Sequence, residues 1–192
     1  MRSSREPVTV ITMSHVGRPG RRKLEATPAR APAMDVTPAT VADEHARIRD
    51  DERIPVLIND VRDRLGPRFD VEVDHVDAAA YRQEVDAVFA DGDRAVNVAC
   101  LSMLLRELDC PDDYPGFVVD EFLGRKLAST IAGGQPLALL AEATFHFADV
   151  HVHGGETAGA DDRRAALAAG FQTRLPGWAW RESASPFAAD PG

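Results

Sequence analysis

Apolar residues recur through the middle of this chain at helical spacing. Thr37 can cap a segment beginning at Pro38, after which Val41, His45 and Ile48 follow one face. Leu57, Ile58, Val61 and Leu65 make a second stripe, closed by Gly66-Pro67. Asp77 reads as the N-cap of a third helix, with Tyr81, Val85, Val88 and Phe89 on its apolar face and Asp91-Gly92 at its end. Asp93 is then expected to cap a helix over 94–109 that is apolar almost all round, from Val96 and Val98 to Leu105 and Leu108. Such a helix belongs at the centre of the core. Further helices are predicted at 116–132, ended by Gly133-Gly134, at 136–153, bounded by Pro136 and Gly154-Gly155, and more briefly at 161–169. One stretch departs from the pattern: in residues 69–76, Phe69, Val71 and Val73 alternate with Asp70, Glu72 and Asp74, which predicts a strand.

The fold expected is mainly α, a single helical-bundle-like domain of about six helices over residues 37–175 with one minor strand at 69–76. At 192 residues the chain has the length of one domain with tails. Residues 1–33 carry seven Arg and Lys against two Glu, four prolines and no sustained periodicity, and read as a disordered basic arm. A second reading takes the abrupt change in composition as a sign that Met34 is the true start. Residues 176–192 form a Pro- and Ala-rich tail, expected to be loosely packed, with Trp178 and Trp180 in it.

Charge narrows the function classes. Residues 34–192 carry a net −14, which repels phosphate and argues against nucleic acid as a partner, and the basic arm lacks aromatics on which bases could stack. With 20 Asp, 11 Glu, 20 Arg and two Lys the composition resembles that of cytosolic proteins of extreme halophiles; a GC-rich genome is the alternative origin of the Arg excess. No segment offers the roughly 18 uninterrupted apolar residues of a membrane span. Cys100 and Cys110 would lie about 15 Å apart along a helix, too far for a disulfide. Reduced thiols and no secretory pattern together predict a soluble cytoplasmic protein.

Candidate chemistry concentrates in PLALLAEATFHFADVHVHGG, residues 136–155. On a helix Glu142, His146, Asp149 and His153 fall at i, i+4, i+7 and i+11, within an arc of about 60°. Imidazole and carboxylate on one face are ligands that suit Zn, Fe or Mn, and a neighbouring helix could add Asp120 or Glu121. The same residues also read as surface ion pairs, with Glu142 beside Lys126 and a histidine at a helix C-terminus. As a strand, ADVHVHGG resembles the His-x-His strand of amidohydrolase-superfamily barrels, which would make His151 and His153 metal ligands. The resemblance covers about eight residues, and the preceding sequence reads as helices where a barrel needs strands.

Phosphate-binding loops, dinucleotide fingerprints and serine nucleophile elbows are absent from the sequence. Asn97 and Ser102 are polar positions in the apolar segment 94–109, where they could line a pocket or bond locally. The leading expectation is a non-catalytic interaction or adaptor-type domain that binds a protein partner or itself, with Trp178 and Trp180 as anchors or as residues packed back on the domain. The alternative is a metal-binding protein or metal-dependent hydrolase built on Glu142, His146, Asp149 and His153.

Overall fold

A computed structural model of the chain describes residues 34–108, 118–150 and 157–179. Among the described residues it has seven α-helices, a single turn of 3-10 helix and no strand. Helix α1, Pro38–Arg49, starts where capping dictates: Thr37 Oγ1 accepts from the Thr40 amide at 3.2 Å, and the Thr40 hydroxyl oxygen accepts from the Thr37 amide at 2.8 Å. Helix α2, Arg53–Leu65, runs into the 3-10 turn Gly66–Arg68. Helix α3, Ala78–Phe89, is capped by Asp77, whose Oδ1 accepts from the Ala80 amide at 2.7 Å.

Helix α4, Gly92–Glu107, begins earlier than the sequence suggests because Asp91, and not Asp93, is its N-cap, accepting from the Arg94 amide at 3.2 Å. Asp93 instead lies in the first turn, where a carboxylate favours the positive end of the helix dipole. Helices α5, Val119–Ala132, α6, Leu137–Asp149, and α7, Ala158–Gln172, pack against one another. Helix α4 joins this trio through α5 and α7, α1 lies on α4 and α3, and α2 packs on α7. No helix among the described residues is long and apolar enough to cross a membrane.

The central helix is α7, not the apolar segment that became α4. From Ala165 to Ala169 no residue of α7 is more than 1% exposed, whereas α4 shows Val96 and Leu104 to solvent at 42% and 40%. Side-chain size explains the exchange. Small residues let neighbouring backbones approach: a Cβ on Gly170 would stand 2.7 Å from Ile131 Cβ, and one on Gly159 would stand 2.3 Å from the Leu105 carbonyl oxygen. Helix α7 therefore sits between α5 and α4 at distances a leucine-rich helix could not reach.

The strand expected at 69–76 is not formed. Asp70 takes φ 53°, in the left-handed region, so the run of extended residues is broken at its second position. The amides of Phe69 and Val71 both turn back onto the Gly66 carbonyl, at 3.0 and 3.1 Å. Beyond the turn, α2 side chains supply the partners that a second strand would have supplied. Asn59 Nδ2 donates to the Val76 carbonyl at 3.0 Å, and Asn59 Oδ1 accepts from the Val76 amide at 2.8 Å. Arg62 donates to the Asp74 carbonyl. Alternation here reflects an extended loop lying half in, half out of the surface.

The packed body extends past the boundary expected at residue 175. Leu175 and Trp178 are buried at 0% and 1% exposure, and Trp178 meets the edge of Phe69 with ring centroids 6.4 Å apart. Arg62, itself 2% exposed, clasps this segment by donating to the Pro176 carbonyl and to Gln172 Oε1, each at 2.9 Å. Trp178 therefore belongs to the core and presents no indole face to a partner. Trp180 lies outside the described residues.

Candidate functional site

Of the four-residue stripe, Glu142, His146 and Asp149 lie on α6. Helix α6 ends at Asp149, and His153 lies outside the described residues, as does His151. Glu142 and His146 line a shallow pocket with Arg125, Leu139 and Ala143, so a guanidinium stands where the metal reading requires further anionic or neutral ligands. Asp149 is drawn the other way, into a hydrogen bond with Asp162 of α7. Among the described residues no three His, Cys, Asp or Glu side chains converge as metal ligands do.

The Asp149 and Asp162 pair has its own chemistry. Burial, then the hydrogen bond and the charge of Asp149, then the charges of Asp120 and Glu121 push the Asp162 carboxyl up to about 9. At neutral pH the Asp149 and Asp162 pair therefore holds a proton between its two carboxyls. Three helices, α5, α6 and α7, bring acids together here, and the shared proton is what makes their packing tolerable.

A second polar constellation lies between α1, α4 and α7. Glu44 is 1% exposed on α1, three residues beyond Val41 and four before Ile48, so the apolar face of that helix carries a carboxylate inward. Ser102 of α4 donates to Glu44 Oε1 at 2.6 Å, and Arg163 of α7 donates to the same oxygen at 3.1 Å and to Ser102 Oγ at 2.7 Å. Arg106 of α4 donates to Glu44 Oε2. Burial by itself would raise the Glu44 carboxyl; the Ser102 hydroxyl and the two guanidiniums outweigh it and hold the group below its ordinary range.

A hydroxyl hydrogen-bonded to a carboxylate can be the start of a nucleophile, but this one has no access. Ser102 is 0% exposed and already engaged by Arg163 and Glu44, so no substrate atom can reach it. The arrangement is a polar knot that ties three helices together. Above it Arg47, Asp50, Asp51, Glu52, Arg53 and Arg106 line a polar hollow. In that hollow Arg53 pairs with Asp51 through Nε to Oδ1 at 3.0 Å and Nη2 to Oδ2 at 3.2 Å, which closes both groups onto each other. Asn97, the other polar residue of α4 singled out in the sequence, bonds locally to the Asp93 carbonyl at 2.8 Å.

An apolar groove opens on the opposite flank of α1. Its walls are Pro38, Val41, Ala42 and His45 of α1 and Gly92, Ala95 and Val96 of α4, with Val36 at its mouth and Phe89 at the end of α3. The cavity measures about 560 Å³. His45 stacks on Phe89 with ring centroids 4.6 Å apart and an interplanar angle of 18°. Its Nε2 lies 2.9 Å from Asp86 Oδ1, which also accepts from Arg49 Nε at 2.9 Å. The imidazole is thereby held with one ring face against the groove wall.

Some of these residues were legible beforehand and others were not. Val41, His45 and Phe89 are apolar-face positions of their helices, but which of those faces would stay uncovered depends on the packing of α1 against α4. Glu44 carried a signal, a charge within an apolar stripe. Arg163 and Asp162 carried none, since the run Asp-Asp-Arg-Arg at 161–164 has the look of a solvated helix start.

No curated protein and no solved structure matches the chain. Residues 34–191 match the family described as Domain of unknown function (DUF7984), which covers the whole helical body, and the chain belongs to that family.

Proposed function

We propose that this protein is a non-catalytic interaction domain that receives an apolar helix of a protein partner in the groove between α1, α3 and α4. One observation carries the reading: an open cavity of about 560 Å³ whose lining is mostly apolar. Val36 and Val96 stand 43% and 42% exposed there, where burial by a partner would be favourable. The lining follows helix registers on both walls, i, i+3, i+4 and i+7 from Pro38 to His45 and i, i+3 and i+4 from Gly92 to Val96. Two ridges of this kind accept the stripe of a third helix.

Titration of isotopically labelled protein with a synthetic amphipathic Leu/Ala helix tests the reading by amide chemical shifts. The expected result is shifts confined to α1, the end of α3 and the first turns of α4, abolished by Val96→Asp. Shifts elsewhere, or shifts that survive Val96→Asp, overturn it.

A further inference from the structure

The rim of the groove differs in charge from its floor, and the difference specifies the guest. Resting on the docking reading above, we propose that the groove takes a partner helix whose apolar stripe is flanked by Arg or Lys. Four carboxylates adjoin residues that line the groove. Asp35 precedes Val36, Asp91 and Asp93 bracket Gly92, and Asp86 meets His45. Asp86 is also bonded to Arg49 at 2.9 Å, and Asp91 lies 3.5 Å from Arg94. Asp35 and Asp93 are exposed and have no ion pair among the described residues.

Two open carboxylates beside an apolar floor do different work from the floor itself. Apolar contact supplies the affinity and is indifferent to the guest's flanks. Charge at a wet rim selects among guests and speeds encounter, favouring cations at the ends of the stripe and repelling an acidic helix. The net −14 of residues 34–192 adds a long-range field of the same sign. A second copy of this acidic body is therefore a poor guest, and a basic helix a good one.

The experiment uses the full chain and two synthetic helical peptides of about 18 residues, long enough to cross the groove. Both carry one Leu/Ala stripe; one has Arg flanks and the other Glu flanks. Binding is followed by fluorescence anisotropy at low salt, and the site by amide shifts. The Arg-flanked peptide is expected to bind about tenfold tighter. That ratio should fall toward one in the Asp35→Asn, Asp93→Asn double variant, and again at about 1 M salt, where the Debye length is about 3 Å. Equal binding of both peptides in the groove overturns the charge selection while leaving the docking reading in place. Binding of neither overturns both. A concentration-dependent dimer of the chain alone, dissociated by Val96→Asp, assigns the groove to a second copy and overturns the proposal as well.

Discussion

Helix α1 separates two regions built on opposite rules. On one side it buries a carboxylate, Glu44, in a knot with Ser102, Arg106 and Arg163; on the other it leaves Pro38, Val41 and Ala42 lining an open groove. The interior position is charged and the surface position is apolar, the reverse of ordinary partition. The knot shows why the inversion is tolerable inside: both Glu44 oxygens have donors, and the donors come from two other helices. The groove has no such internal compensation, so its apolar area gains only when something covers it. Charge here holds the fold, and the apolar surface is left uncovered.

The sharpest way to break the comparison is to break the knot. Glu44→Ala leaves two guanidiniums and a hydroxyl without their acceptor, and we expect a loss of about 3–5 kcal/mol in urea unfolding at neutral pH. Because the Glu44 carboxyl is held below its ordinary range, its contribution is present above about pH 4.5 and is lost as pH falls through the lowered value. Acid unfolding of the native chain should therefore be steeper than that of Glu44→Gln, which has no such proton to take up.

Gly170→Ala probes the close approach that makes α7 central. Its Cβ would meet Ile131 Cβ at 2.7 Å, and we expect a cost of about 2 kcal/mol, read from the shift in the urea midpoint at unchanged slope. An equal loss at a surface glycine such as Gly92, which has nothing within 4 Å, would remove the argument from close packing.

The acid pair between α6 and α7 is the knot's unbalanced counterpart, a carboxyl facing a carboxyl with the charges of Asp120 and Glu121 beside them. Its folded-state pKa is raised from 3.8 to about 9, so folding takes up a proton between those values and stability declines as pH rises through that window. Asp162→Asn keeps a donor toward Asp149 without the titration. We expect it to be more stable than the native chain by about 1 kcal/mol at pH 8, with the advantage vanishing toward pH 4, as measured by thermal melting across that range. A variant that melts lower at pH 8 would mean that the pair is not sharing a proton.

The smallest stability effect belongs to the groove. Val96→Asp should leave the unfolding free energy within about 0.5 kcal/mol of the native value, since its side chain is 42% exposed, while removing peptide binding. Loss of stability comparable to that of Glu44→Ala would mean that the groove is part of the core.

How much of this could be read from residues alone differs by level. Helix starts at Pro38 and Ala78 followed from Thr37 and Asp77, because a cap is a local hydrogen bond between neighbours in sequence. Alternation at 69–76 misled for the same local reason: it records which side chains face inward, and a loop clamped by Asn59 and Arg62 satisfies that pattern as well as a strand does. Of the stripe, Glu142 and His146 share a shallow pocket with Arg125 while Asp149 pairs with Asp162, and helical phase within one segment does not encode such neighbours.

The sequence by itself determined a mainly helical body, the caps at Thr37 and Asp77 and which faces are apolar, because these depend on periods and contacts within a few residues. Only the tertiary structure decided that the Ala- and Gly-rich α7, and not the more apolar α4, lies at the centre, that Glu44 and Arg163 meet across 119 positions, and that one apolar flank of α1 is left open. Those outcomes depend on how closely backbones can approach and on which faces remain when all helices have packed. Both are properties of pairs of helices distant in sequence, for which no local pattern carries a signal.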